Sequence, residues 1–283
     1  MILRTLLFAL AVSAGAKTGI ALYPMSEHGK VVVKAGSIVE YTEDRNRGAI
    51  VSFQGKEILA YGSIIPLDPD FAPSRIYIEL QQTRQSTKDI ATLEGLVDLA
   101  DAALKAFPRS PTLEHIEAQD VLLTYQLNNY RTEGKTRSAD ALTKARRYMI
   151  HYPEGKDRDE LEWKTVLWTN EVYEIEGEAA IPLRQARAYE KFFDLHPAST
   201  YSEEIREHMA DSYRLGGDLL DYGPDAKQHG PGEPYRAKAK GIYESLLKSK
   251  DPVRAAKALV TLYNLHHGHV PGFMTPTSPP MDW

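Results

Sequence analysis

Hydrophobic residues along this chain follow two different periods, and the change between them falls near residue 80. From Lys30 onward the apolar positions come in short β-branched and aromatic runs: Val31-Val-Val33, Ser37-Ile-Val-Glu-Tyr41, Ala49-Ile-Val-Ser-Phe53, Glu57-Ile-Leu-Ala-Tyr61 and Arg75-Ile-Tyr-Ile-Glu-Leu80. Runs of this kind fit a half-buried pleated surface. Gly36, the polar stretch 43–48 and Gln54-Gly55-Lys56 separate them as hairpin turns do. A small antiparallel β module of three to five strands is therefore expected over 17–74. Pro66, Pro69 and Pro73 form its stiff boundary, which leaves the strand expected at 75–80 able to join either side.

Beyond Thr87 the period becomes about 3.6. Ile90, Leu93, Val97, Ala100, Leu104 and Phe107 form one stripe of a helix, and Leu161, Trp168, Val172 and Ile175 form another. Tyr189, Phe192, Phe193 and His196 make a third; Val253, Ala256, Val260 and Tyr263 make the last. Start signals agree with these phases. Thr200-Tyr-Ser-Glu203 has capping-box spacing, while Ser110-Pro111 and Asp251-Pro252 place a capping side chain before a proline at the first helical position. Helices are expected at 88–107, 112–128, 138–151, 158–176, 183–196, 200–215, 234–249 and 252–266.

The helices end on a recurring phrase. Tyr148 leads to Pro153, Tyr189 to Pro197 and Tyr243 to Pro252, with a looser copy ending at Pro108, so the prolines lie 45, 44 and 55 residues apart. The long last interval holds a Gly/Pro-rich insertion between Gly216 and Pro234. Such a period marks a helical solenoid of two-helix units. The expected fold is mainly α, an α-solenoid of three to four hairpins over 75–267 preceded by the β module and followed by an irregular tail at 268–283.

Over about 88–266 the chain resembles tetratricopeptide-repeat proteins. The resemblance is strongest over Ala188-Tyr-Glu-Lys-Phe-Phe-Asp-Leu-His-Pro-Ala-Ser199, Tyr201-Ser-Glu-Glu204 and Ala210-Asp-Ser-Tyr-Arg-Leu-Gly216. There it is similar to the exported bacterial type, found in the outer-membrane β-barrel assembly lipoprotein D family and in the Tol–Pal-associated periplasmic repeat proteins. The resemblance implies a tetratricopeptide-like fold and the habit of binding another protein in a concave groove lined by the first helix of each pair. Aligned to that phrase, the groove residues are Glu171, Glu174, Glu204, Glu207, Asp211 and Arg214. The chain departs from the family pattern in its β-rich segment and in the 216–233 insertion.

Charge and composition narrow the partners. The formal net charge of -5 gives no attraction for nucleic acid. The absence of cysteine removes disulfides, zinc–thiolate sites and thiol catalysis, and also the residue that would carry a lipid anchor. Residues 1–16 read as a signal peptide: Arg4 supplies the positive end, Thr5–Val12 the apolar core and Ala14-Gly15-Ala16 the cleavage site. Its apolar run is about a dozen residues where roughly 20 span a bilayer, so no transmembrane anchor is expected. Export is expected, to a periplasm or beyond the cell.

Candidate chemistry is sparse. The chain has no Gly-x-Ser-x-Gly elbow, His-Glu-x-x-His helix, phosphate loop or dinucleotide fingerprint. His266-His267-Gly268-His269 reads as a helix end whose imidazoles complement the dipole, and the acids and His229 of the 218–234 stretch read as a surface loop. No metal and no cofactor are expected. The leading function is a non-catalytic scaffold that holds another protein or peptide segment, in cell-envelope assembly. The alternatives are an enzyme or enzyme accessory acting on envelope glycans, with its site on the β module, and a structural spacer.

Overall fold

The computed structural model describes residues 16–44, 48–60, 63–133, 138–170, 178–224, 226 and 230–266. The chain divides into two compact units, one up to Asp157 and one from Arg158. Among the described residues a small antiparallel sheet precedes nine sequential packed helices, so the protein is mainly α. None of these helices is long and apolar enough to cross a membrane. Residues 1–15, which hold most of the signal peptide expected over 1–16, Val172, Ile175, His229 and the tail from His267 lie outside the described residues.

The first unit opens with seven strands: β1 (Lys17–Ala21), β2 (Met25–Glu27), β3 (Lys30–Val33), β4 (Ile38–Asp44), β5 (Gly48–Phe53), β6 (Lys56–Ala60) and β7 (Ile64–Pro66). Five form an antiparallel sheet in the order β6-β5-β4-β1-β7, while β2 and β3 pair separately. Period-two alternation decides which face is buried. Tyr41 faces Val51 and Val51 faces Ile58 across three strands, all three buried, whereas Ile38 is exposed. The β5–β6 hairpin turns at Gln54-Gly55, where both residues have positive φ, as a two-residue turn of that hand requires.

Four helices complete this unit: α1 (Ala72–Ser86), α2 (Ile90–Ala106), α3 (Leu113–Arg131) and α4 (Ala139–His151). The strand expected at 75–80 is the middle of α1. Its β-branched residues mislead because Ala72, Ile76 and Leu80, spaced by four, are the ones that bury. In one core Ile20, Leu22 and Ile65 of the β-rich part meet Ile76, Leu80, Leu93, Leu96, Leu99 and Ile116 of the helices, while Val39, Tyr41, Val51 and Ile58 belong to a second core within the strands. Asp89 starts α2 by accepting a hydrogen bond from the Thr92 amide at 2.8 Å. The Ser110-Pro111 signal does not sit at a helix start: Ser110 Oγ accepts from the Thr112 amide, and α3 begins at Leu113 without a side-chain cap.

The second unit is an array of five helices in which each packs on the next: α5 (Arg158–Thr169), α6 (Ala180–Leu195), α7 (Ser202–Tyr222), α8 (Glu233–Leu246) and α9 (Pro252–His266). Its own core runs from Trp163 through Tyr189, Phe192, Ile205, Met209, Tyr213 and Tyr243 to Leu262. Three expectations are corrected here. The helix expected to stop at 215 continues through Gly216-Gly217 to Tyr222, so part of the supposed insertion is helical. Thr200 forms no capping box; its amide and hydroxyl both donate to Asp159 at 3.0 Å, and α7 begins at Ser202. The stripe Val253, Ala256, Val260 and Tyr263 faces outward, while Ala258 and Leu262 make the buried face of α9. Asp251 does cap α9, accepting from the amides of Val253 and Arg254 at 3.0 and 3.4 Å.

Candidate functional site

The long α7 carries four of the residues expected to line a groove, and the spacing of Glu203, Glu207 and Asp211 by four places these acids on one helical face. The face is not a bare acidic strip. Glu204 accepts from Trp163 Nε1 at 2.8 Å and from Lys164 Nζ at 3.2 Å, both on α5. Glu207 accepts from Arg254 Nε at 2.9 Å and from Lys257 Nζ at 2.5 Å on α9. Asp211 accepts from Tyr243 Oη of α8 at 2.5 Å and from Lys257 at 3.2 Å. Arg214 donates to Asp218 one turn further on at 3.2 Å.

Each acid therefore has its counter-charge or donor inside the unit. Burial pushes the Glu204 carboxyl up, but the donors Trp163 and Lys164 outweigh it and hold the group below its ordinary value. Glu207 is likewise driven up by burial and brought below its ordinary value by Lys257 and Arg254. Reciprocally, the pairing with Glu207 and Asp211 raises Lys257 against the opposing effect of burial.

Beside this paired face lies an open groove of about 610 Å³. Leu167 of α5, Gln185 and Tyr189 of α6, His208, Asp211, Ser212, Arg214 and Leu215 of α7, and Lys257 and Thr261 of α9 line it. Of the expected residues, Asp211 and Arg214 line this groove, whereas Glu204 and Glu207 do not and pair with Trp163, Lys164, Arg254 and Lys257 instead. Glu171 and Glu174 lie outside the described residues. His208 lies against both Trp163 and Tyr189, with ring centroids 5.7 and 6.0 Å away. Burial lowers its pKa despite Glu204, Asp211 and Glu207 nearby, so the imidazole is neutral at neutral pH.

The lining mixes donors and acceptors with aromatic and aliphatic walls. Its polar atoms can exchange hydrogen bonds with a ligand, while the Tyr189 ring at its floor is 3% exposed and belongs to the core. His208, Gln185, Lys257 and Thr261 are absent from the expected set. Of these only Lys257 has a sequence signal, in the bases at 254 and 257 that answer the acids at 203, 207 and 211; His208, Gln185 and Thr261 have none. A second hollow, of about 540 Å³, lies on the strands between Glu27, Lys30, Phe53 and Lys56. Its carboxylate, Glu27, is paired with Lys56 at 3.1 Å. Donors able to hold a metal ion come together in the first unit, at Glu114, His115 and Asp157.

Comparison with protein-family models gives no match, and comparison with curated proteins gives none either.

Proposed function

We propose that this protein is an exported, non-catalytic scaffold of tetratricopeptide type, and that the groove on α5, α6, α7 and α9 holds an extended segment of another protein. The observation that supports this most is the groove itself. Its walls are drawn from four packed helices and fixed by ion pairs before any ligand arrives, so a bound segment orders little of the scaffold. The repeat phrase around Tyr189 and Ala210 supports the tetratricopeptide assignment, and the leader-like first sixteen residues support export and a place in envelope assembly. Because the acids on α7 are internally paired, the groove selects by hydrogen bonding and fit rather than by attracting basic chains.

Site-specific photo-crosslinking in the producing cells tests this reading. Benzoylphenylalanine at Thr261 or Gln185, on the groove, is expected to trap a protein. The same probe at Glu57, exposed on the sheet, is expected to trap none. Equal yields from groove and sheet, or crosslinks from the sheet position alone, would move the binding surface elsewhere.

A further inference from the structure

The loop after α4 returns to the start of α3 and brings together residues 42 apart in sequence. Glu114 and His115 stand in the first turn of α3, and Asp157 ends the loop. One imidazole nitrogen and two carboxylate oxygens from these residues all lie within 4.8 Å of one another. Ligands sharing one zinc ion at about 2.0–2.2 Å stand roughly 3–4 Å apart, so the observed cluster needs only a small adjustment to close on a metal. His115 Nδ1 already meets Asp157 Oδ2 at 2.6 Å.

Neighbours outside the set of ligands orient His115 and Glu114. The Tyr77 ring of α1 lies against the His115 ring at 5.3 Å. Glu114 Oε1 accepts from Tyr148 Oη at 3.1 Å and from the Lys156 amide. The loop can press this close because residue 155 is glycine: a Cβ there would stand 2.6 Å from Tyr148 Oη and 2.9 Å from Glu114 Oε1. This is the outer support that metal ligands ordinarily have. The His115 and Asp157 side chains remain about a quarter exposed, which leaves an entry path and room for a coordinated water.

We propose that Glu114, His115 and Asp157 form a three-ligand site for a divalent transition-metal ion, zinc first among them. The donor set decides the class. A nitrogen ligand beside two carboxylates suits zinc and its neighbours, whereas magnesium and calcium prefer oxygen throughout. Binding replaces the His115–Asp157 hydrogen bond with two metal bonds and pins the 152–157 loop to α3. The site is independent of the groove on the second unit.

The test uses the full, untagged chain after chelator treatment, titrated calorimetrically with zinc chloride. Histidines 266, 267 and 269 are a rival site, so a variant with all three changed to alanine is titrated in parallel. One ion per chain is expected, retained in that triple variant and weakened by His115→Gln and by Asp157→Asn at least as much as the roughly 10–100-fold that loss of an outer-shell partner costs. Magnesium is expected not to compete. In the unaltered protein, cobalt should broaden the amide signals of residues 113–116 and 154–157, a readout that does not depend on any variant folding. Absence of saturable binding at submillimolar zinc, binding lost with the three terminal histidines, or broadening centred elsewhere would overturn the proposal.

Discussion

At the scale of single residues, the second unit is organised around Trp163. Its side chain is wholly buried, lies edge-on to Tyr189 at 5.5 Å, touches Phe192 at 5.7 Å and donates its indole hydrogen to Glu204. Among the described residues of the unit the ring is the largest fully buried side chain, and it anchors an acid beside the groove. Trp163→Ala is expected to lower stability by about 3–5 kcal/mol through cavity formation. Trp163→Phe keeps most of the apolar volume but removes a donor from a half-buried carboxylate, a loss of about 1–3 kcal/mol. Val253→Ala, at a side chain 76% exposed, is expected to stay within about 0.5 kcal/mol. Urea unfolding midpoints measure all three. A midpoint for Trp163→Ala indistinguishable from that of Val253→Ala would show that the ring does not carry the core.

At the scale of elements, helices are joined by polar ladders as well as by apolar stripes. Along α3 the acids Glu114, Glu117 and Asp120 meet Tyr148, Arg147 and Lys144 of α4. Asp120 is fully buried; its Oδ1 accepts from Lys144 at 2.6 Å, while its Oδ2 has no hydrogen-bond partner and Arg147 stands 3.8 Å away. Burial pushes the Asp120 carboxyl up to about 6, opposed by Lys144 and Arg147 and aided by Asp101. An unfolded aspartate titrates near about 3.9. Between these two values the native state holds a proton that the unfolded chain has released, so this group's contribution to stability falls as pH rises from about 4 to about 6. The gap corresponds to about 3 kcal/mol. Asp120→Asn cannot titrate, so the stability of wild type minus that of the variant should shrink by about that amount between pH 4 and pH 7. Denaturant unfolding at the two pH values checks this, and a constant difference would contradict it. These ladders mark the limit of what was legible in the sequence. The number of helices after Thr87 and their approximate places were readable because proline punctuation and four-residue spacing are local signals, as were β3 to β6 from their alternation, whereas ends such as that of α7 were not. Arg75–Leu80 was not, since β-branched residues in α1 imitate a strand until Ala72 is seen to join Ile76 and Leu80 on one face. The α9 stripe was misphased because that helix has apolar residues on two faces, and only its packing on α8 selects Ala258 and Leu262. Asp211 and Arg214 could be placed from α7 alone, but Gln185 and Thr261 reach the groove only through tertiary packing.

At the scale of the whole molecule, the two units have separate interiors. In the first, the sheet supplies Ile20, Leu22, Ala35 and Ile65 to the core of α1, α2 and α3, and so covers an apolar face that the opening helices of an array would otherwise present to water. In the second, every member of the core from Trp163 to Leu262 comes from α5 to α9. The second unit also contains both partners of each ion pair that braces its groove, from Lys164–Glu204 to Lys257–Asp211. A chain with its own core, its own polar cross-links and a length in the ordinary range of domains has what it needs to fold alone. Residues 158–283 expressed by themselves are therefore expected to give a helical far-ultraviolet spectrum and one cooperative urea transition. Benzoylphenylalanine at Thr261 of this shorter chain should also trap the same protein as in the full chain. The two readouts separate the two ideas. A non-cooperative or unfolded 158–283 would show that its core is not self-sufficient, whereas a folded fragment that traps nothing, when the full chain does, would place part of the binding surface in the first unit.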